Sequence, residues 1–331
     1  MRLVDANLDR GGEALRFLDD LARFTLNDEN LSRRLRDIRH ALGGFSARLT
    51  MDRLSARDVA ADVGVEAPAS GSPGLAALAS ANARRAAESL RSLEEAAKLP
   101  EMAGRLDSDA LRRLRFQVYA IEKELVPRLA RSGKAGGMHG TWLGIDCGRA
   151  CGRHAREIVS QAVMGGLKAV AYQSRGKVTA SDFELAGWLR EATVDKVLML
   201  TDSLELALAT HADGYLLERG GLSVEAARRA LSPDRLVVAA AVDAREAGIL
   251  AGAGADALIL ESAIGLRVVK AVVKVVSCPV VVALGVDDTD HRAFGKADVA
   301  ALLFSFRDPR VANAGAIARL GKESYRVSDG A

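Results

Sequence analysis

"LKAVAYQSRGK", residues 167–177, decides the fold of the second half of this chain. Its apolar residues run continuously instead of alternating with polar ones. That is the pattern of a strand buried on both faces, as in a parallel sheet. Seven further runs share it: "TWLGID" (141–146), "KVLMLT" (196–201), "DGYLLE" (213–218), "RLVVAAA" (235–241), "DALILES" (256–262), "PVVVAL" (279–284) and "DVAALLF" (298–304). Amphipathic segments with helical spacing separate them. Eight βα units in about 190 residues predict an α/β fold, a compact (β/α)8 barrel with its working residues just after each strand.

At the second strand end, Gln173, Arg175 and Lys177 occupy alternate positions and project to one side for as long as strand geometry persists. A neutral donor and two cations at a barrel mouth suit a phosphate or pyrophosphate. The competing reading is a strand end with solvated charges. After the third strand, Asp202 is placed either to hold Mg²⁺ or to cap the helix that begins near Leu204. "DCGRACGRH" (146–154) sets Cys147, Cys151 and His154 on one helical face, as a metal site or as small buried thiols beside a histidine. Cys278, before a buried strand, reads as core, and His211 and His291 stand alone.

Upstream the pattern changes. Residues 1–130 read as an all-α domain, "RSGKAGGMHG" (131–140) as a flexible linker, and 141–331 as the barrel. "ANLDRGGEALRFLDDLARF" (6–24) returns as "ANARRAAESLRSLEEAAKL" (81–99), 75 positions later. Asn7, Arg10, Glu13, Arg16 and Leu18 become Asn82, Arg85, Glu88, Arg91 and Leu93. "LRDIRHAL" (35–42) returns at nearly the same offset as "LRRLRFQVY" (111–119), and "GVEAPASGSPG" (64–74) reads as a loop between the copies. A duplicated αα unit packed with pseudo-two-fold symmetry follows.

On a helical wheel Leu8, Ala14, Leu15, Leu18, Leu21 and Ala22 share one face, and Glu13, Arg16 and Asp20 lie opposite. Asn7 and Asn82 fall on the apolar side, where an amide needs a partner: each caps or cross-links helices, or faces a ligand. Glu13/Arg16 and Glu88/Arg91 read either as i,i+3 ion pairs worth about 0.2–0.5 kcal/mol or as duplicated binding groups.

The composition narrows the function. With 331 residues, 49% hydrophobic and 27% charged, the chain has room for two folded domains. A net charge of +3 and 4% aromatics argue against a nucleic-acid partner. No apolar run spans a bilayer, and "MRLVDANLDR" lacks a signal-peptide layout. Three cysteines suit a reducing compartment, so a cytoplasmic location is expected.

Across 141–305 the order of "GIDCGR", "QAVMGGLKAVAYQSRGK", "LTDSLELALATHADGYLLERGGLSVEAARRAL", "EAGILAGAGADALIL" and "CPVVVALG" resembles thiamine-phosphate synthase. The resemblance implies that Gln173, Arg175 and Lys177 bind the diphosphate of hydroxymethylpyrimidine diphosphate. Asp202 would keep a Mg²⁺ position and Gly285 part of a phosphate site. The implied reaction loses pyrophosphate and joins the pyrimidine to a thiazole phosphate. Several family positions have no counterpart: the second Mg²⁺-binding acid falls near Gly221, a Ser-Thr-His segment becomes Ala240, Ala241 and Val242, and Lys270 is displaced. Glu218 is the nearest acid to the missing one.

The helical half, through "VDANLDRGGEALRFLDDLARF", "LRDIRHAL", "ARDVAADVG", "ANARRAAESLRSLEE" and "LRFQVYAIEKEL", resembles the monofunctional hydroxymethylpyrimidine-phosphate kinase domain fused ahead of such synthases. This implies ATP as co-substrate, with Mg²⁺. No G-x-x-x-x-G-K-[ST] loop is present, so phosphates would meet side-chain cations: Arg10, Arg16, Arg39, Arg85, Arg91 and Arg115. Glu13, Asp20, Glu88 and Glu95 would supply metal ligands. His40 either touches substrate or ends a helix. The expectation is a thiamine-biosynthetic transferase whose repeats share one ligand site between the helix pairs and whose barrel site is eroded. The alternatives are a regulatory, intermediate-binding barrel or a fully bifunctional enzyme. Small pyrimidine and thiazole phosphates are the expected partners, with no membrane; homo-oligomerisation stays open.

Overall fold

The helical periodicity of the first half folds into α1 (Arg2–Asp20), α2 (Glu29–Arg48), α3 (Thr50–Ala56), α4 (Leu75–Ala96) and α5 (Ser108–Gly136). A computed structural model describes residues 1–56, 74–146, 152–174, 177–201, 203–285 and 291–305. The chain divides into two units, Met1–Ala130 and Arg131–Ala331. The first unit is all-helical over its described residues, with a single core. Leu8, Leu15 and Leu18 of α1 meet Leu35, Ile38 and Leu42 of α2, Leu90 and Leu93 of α4, and Leu111, Val118 and Ile121 of α5. Spacings of three, four and seven put each set on one stripe, and each buried Leu contributes about 1.5–3 kcal/mol.

The repeat also controls how closely the helices approach. A Cβ at Gly11 would lie 3.2 Å from Leu42 Cδ2 and 3.4 Å from Ser89 Cβ. The 75-residue offset matches Gly11 with Ala86 and Ala14 with Ser89, so both copies keep small residues where α1 meets α4. Asp28 caps α2, its side chain accepting from Leu31 N at 2.8 Å.

The second unit holds β1 (Gly140–Asp146), β2 (Ala169–Gln173), β3 (Val197–Thr201), β4 (Gly214–Leu217), β5 (Leu236–Ala240), β6 (Ala257–Glu261), β7 (Val280–Gly285) and β8 (Ala301–Ser305). Every neighbouring pair is parallel, and β8 closes on β1. All eight expected runs are strands. The reason for their continuous apolar character is visible in the packing. Trp142, Ala171, Met199, Val238, Ile259 and Val281 fill the interior. The intervening Leu143, Val170, Tyr172, Leu198 and Leu258 pack outward among the helices. At Gly144 the walls are so close that a Cβ would sit 2.5 Å from Ser305 Oγ.

Residues 131–140 are not the expected flexible linker. Residues 131–136 continue α5, and Ala135 and Met138 join the interior cluster at the barrel floor. Lys134 Nζ donates to Asp234 Oδ2 at 3.0 Å, Arg131 Nε donates to Asp256 Oδ1 at 3.1 Å, and Trp142 Nε1 donates to Met138 O at 2.7 Å. Ionic and apolar contacts hold a segment whose Gly and Lys content reads as loose. Among the described residues no helix is long and apolar enough to cross a membrane.

Candidate functional site

Strand alternation builds the barrel mouth. Ala169, Ala171 and Gln173 lie on one side of β2, and Val197, Met199 and Thr201 on the same side of β3, with Gln173 paired to Thr201 in register. The same alternation carries β4 from Gly214 through Leu216 to Glu218, and β6 through Ile259 to Glu261. Gln173, Thr201, Glu218, Glu261 and Ser305 therefore rim a cavity of about 540 Å³. Gln173 Nε2 donates to Glu218 Oε1 at 2.6 Å. Among the described residues, the buried Thr201 Oγ1 and Ser174 Oγ have no hydrogen-bond partner. Ala240, Ala241 and Val242 give the same cavity an apolar wall.

Of the expected diphosphate clamp, Gln173 lines the mouth and Lys177 is exposed beyond it. Arg175 lies outside the described residues, as do Asp202, Cys147 and Cys151 and the side chain of His154. The helix after β3 is capped by Ser203, which accepts from Leu206 N at 3.1 Å, so the capping role considered for Asp202 is taken by its neighbour. Gly285 ends β7 beside Ser305. Gly221 sits in an exposed turn and Lys270 on an exposed helix face, and neither lines the cavity. Cys278 is half-buried against the core, and burial pushes its thiol pKa up. Among the described residues, no three His, Cys, Asp or Glu side chains converge as a metal site.

The helical unit has its own pocket, about 340 Å³, between α1 and α2. Asp9, Glu13, Arg16, Arg39 and Ser46 line it with Leu8 and Gly12. Its far wall is braced by Arg53, a buried residue of α3. Arg53 Nε donates to Asp5 Oδ1 at 2.6 Å, Nη2 donates to Asp9 Oδ1 at 2.5 Å, and Nη1 bonds Ser46 Oγ.

Every residue lining this pocket belongs to the first copy, whereas the sequence reading expected a pocket lined by both repeats. Arg91 is half-exposed and pairs forward along its own helix, with Glu94 at 2.9 Å and Glu95 at 2.6 Å. Neither Glu13–Arg16 nor Glu88–Arg91 is an ion pair. Arg115 Nε and Nη2 donate to Glu94 Oε2 at 3.1 and 3.0 Å. The Tyr119 hydroxyl, then Glu94, raise the Arg115 pKa, while Lys98 and then Arg91 lower that of Glu95. Asn7 and Asn82 each donate to the carbonyl one turn back, Leu3 O at 2.8 Å and Leu78 O at 2.9 Å. Asn82 Oδ1 also accepts from Arg85 Nη1 at 3.0 Å, so these amides serve their own helices. Arg10, Asp20 and Glu88 are exposed and do not line the pocket. His40 neither ends a helix nor lines the pocket; it is exposed in the middle of α2.

Sequence reasoning missed Asp9, Ser46 and Arg53 in the helical unit and Glu261 and Ser305 at the barrel rim. Extending each strand's period of two by one step would have found the last two.

Residues 2–124 match the model of the ThiD2 family, and residues 145–302 match that of thiamine monophosphate synthase. The thiamine-phosphate synthase of Synechocystis sp. is 30% identical over 265 residues, covering 77% of this chain and 72% of its own. That of Thermosynechococcus vestitus is 31% identical over 265 residues with the same coverage. A solved thiamine phosphate pyrophosphorylase from Pyrococcus furiosus is similar over 58% of this chain and 98% of its own, at 23% identity and a TM-score of 0.49.

Proposed function

Because the chain belongs to the thiamine-phosphate synthase family, transferases of thiamine biosynthesis, we propose that its two units serve consecutive steps there. The helical unit phosphorylates hydroxymethylpyrimidine phosphate to the diphosphate with ATP. The barrel is a synthase descendant that keeps a diphosphate side and has lost much of its thiazole side. The observation that carries the kinase reading is the α1–α2 pocket, where two arginines that have no ionic partner among the described residues stand beside two carboxylates. Transfer between two anions requires that their mutual repulsion be neutralised. One guanidinium about 4 Å from a phosphoryl oxygen contributes about 4 kcal/mol at an effective dielectric near 20. Arg16 and Arg39 would take the phosphoryl oxygens.

Mg²⁺ fits both places by donor chemistry, since it takes one or two carboxylates together with substrate phosphates. Asp9 and Glu13 would hold it in the helical pocket and Glu218 at the barrel mouth, with Asp202 joining as the sequence resemblance implies. When bound it neutralises charge on the phosphoryl oxygens. In the barrel, the buried Thr201 hydroxyl offers a hydrogen bond to a diphosphate, and the apolar wall of Ala240, Ala241 and Val242 supports the eroded reading.

One observation favours a second reading, in which both units are enzymes: Glu218 turns into the mouth and supplies a carboxylate that Gly221 cannot. Purified full-length protein is given ATP, Mg²⁺ and the pyrimidine monophosphate, with and without the thiazole phosphate. ADP release dependent on the pyrimidine is expected. No release above the ATP-only control ends the kinase proposal. Pyrophosphate release dependent on the thiazole selects the bifunctional reading, and its absence the eroded one.

A further inference from the structure

The two halves of the helical unit hold one arrangement in two states. The 75-residue offset that matches Arg16 with Arg91 also matches Asp19 with Glu94 and Asp20 with Glu95, while the second helices, offset by 76, match Arg39 with Arg115. In each case the acid of the first copy is one methylene shorter. In the second copy the longer acids reach: Glu94 accepts from Arg91 and from both Nε and Nη2 of Arg115, and Arg91 also meets Glu95 at 2.6 Å. In the first copy Asp19 is buried and accepts instead from Ser32 Oγ, at 2.5 Å. Arg16 and Arg39 then have no ionic or hydrogen-bond partner among the described residues, and Arg39 Nε is buried with no acceptor. Both arginines line the α1–α2 pocket.

An arginine cannot relieve this by losing its proton. A buried N–H without an acceptor is costly, and a planar fork of donors matches the oxygens of a phosphate. We propose that Arg16 and Arg39 form an anion site for a phosphate ester or polyphosphate, left open by the two shortened acids. In the second copy Glu94 and Glu95 occupy the corresponding cations themselves and close the equivalent site. Among the described residues of the helical unit there is therefore one such site. The inference deepens the kinase reading of this pocket and rests on it only for which phosphate is bound.

The test lengthens the acids. Inorganic pyrophosphate, with Mg²⁺ present, is titrated calorimetrically into full-length wild type, D19E/D20E and R39Q, each checked by its thermal transition. Whatever the barrel binds is common to all three. D19E/D20E should lose one binding site per chain. R39Q should weaken that site about ten- to a hundredfold, the loss of one or two charge-assisted hydrogen bonds. R39Q reads the same site by removing charge should the longer acids fail to fold. Wild-type stoichiometry and affinity in R39Q, or in a folded D19E/D20E, overturn the inference. ADP formation on the same samples separates the readings. A site lost in D19E/D20E without any wild-type turnover sinks the kinase assignment alone. Turnover that survives unchanged in R39Q, with unchanged binding, sinks the anion site alone.

Discussion

Replacing Arg53 by Leu should unfold the helical unit at a markedly lower temperature. Arg53 and Asp5 are each only 9% exposed and lie 2.6 Å apart, while the Arg53–Asp9 pair reaches solvent on the carboxylate side, where Asp9 is 49% exposed. Removing one partner of a buried pair costs about 3–5 kcal/mol, because the remaining charge stays desolvated. The half-exposed pair adds less than about 1 kcal/mol. A loss of about 3–5 kcal/mol at roughly 3–5 °C per kcal/mol lowers the midpoint by about 10–25 °C. Differential scanning calorimetry of the full chain reads this, with the barrel transition as an internal reference. The companion Asp5→Leu/Arg53→Leu variant should recover part of the loss, since both buried charges leave together. An R53L midpoint within 3 °C of wild type, or a double variant that loses the sum of both single changes, would refute this account of the α1–α3 contact.

Glu94→Gln strips a carboxylate that Arg91 and Arg115 share, and should cost about 2–4 kcal/mol in urea unfolding with no loss of pyrophosphate binding in the first copy. Gly144→Ala drives a methyl group into Ser305 Oγ and Leu303, a 2.5 and 3.1 Å approach, and should cost about 1–3 kcal/mol; S305G should recover part of it. Asp234 gives a pH prediction. Burial opposes its ionisation, but the Ser232 hydroxyl and Lys134 prevail and hold its pKa at about 2, against 3.8 for the free side chain. A depressed folded pKa means that its stabilisation is full above the unfolded value and disappears as pH falls through about 2. The barrel's acid unfolding between about pH 5 and 2 should flatten in K134M; an unchanged acid limb would show that the Lys134–Asp234 contact contributes nothing.

The barrel was legible because strands covered on both faces have little freedom to carry polar residues, and each run from "TWLGID" to "DVAALLF" became a strand. The helical repeat was equally plain. Gln173 could be placed by counting along β2, and Glu218 follows from the same count along β4. Pairings across long stretches of chain were not legible. Arg53 reads as one more basic residue in "TMDRLSA" until folding brings it to Asp5, 48 positions earlier. Lys134 sits among glycines that suggest slack, yet its partner is 100 positions later. The α1–α2 pocket differs from the shared site expected between the repeats for a physical reason. Matching letters suggested matching roles, whereas the decisive positions are 19 and 94, where a carboxylate differs in reach.

The barrel floor has a consequence for traffic. With Met138 and Trp142 packed into the interior at the lower end, the cavity is a cup with one rim. Entry and departure therefore share the same rim.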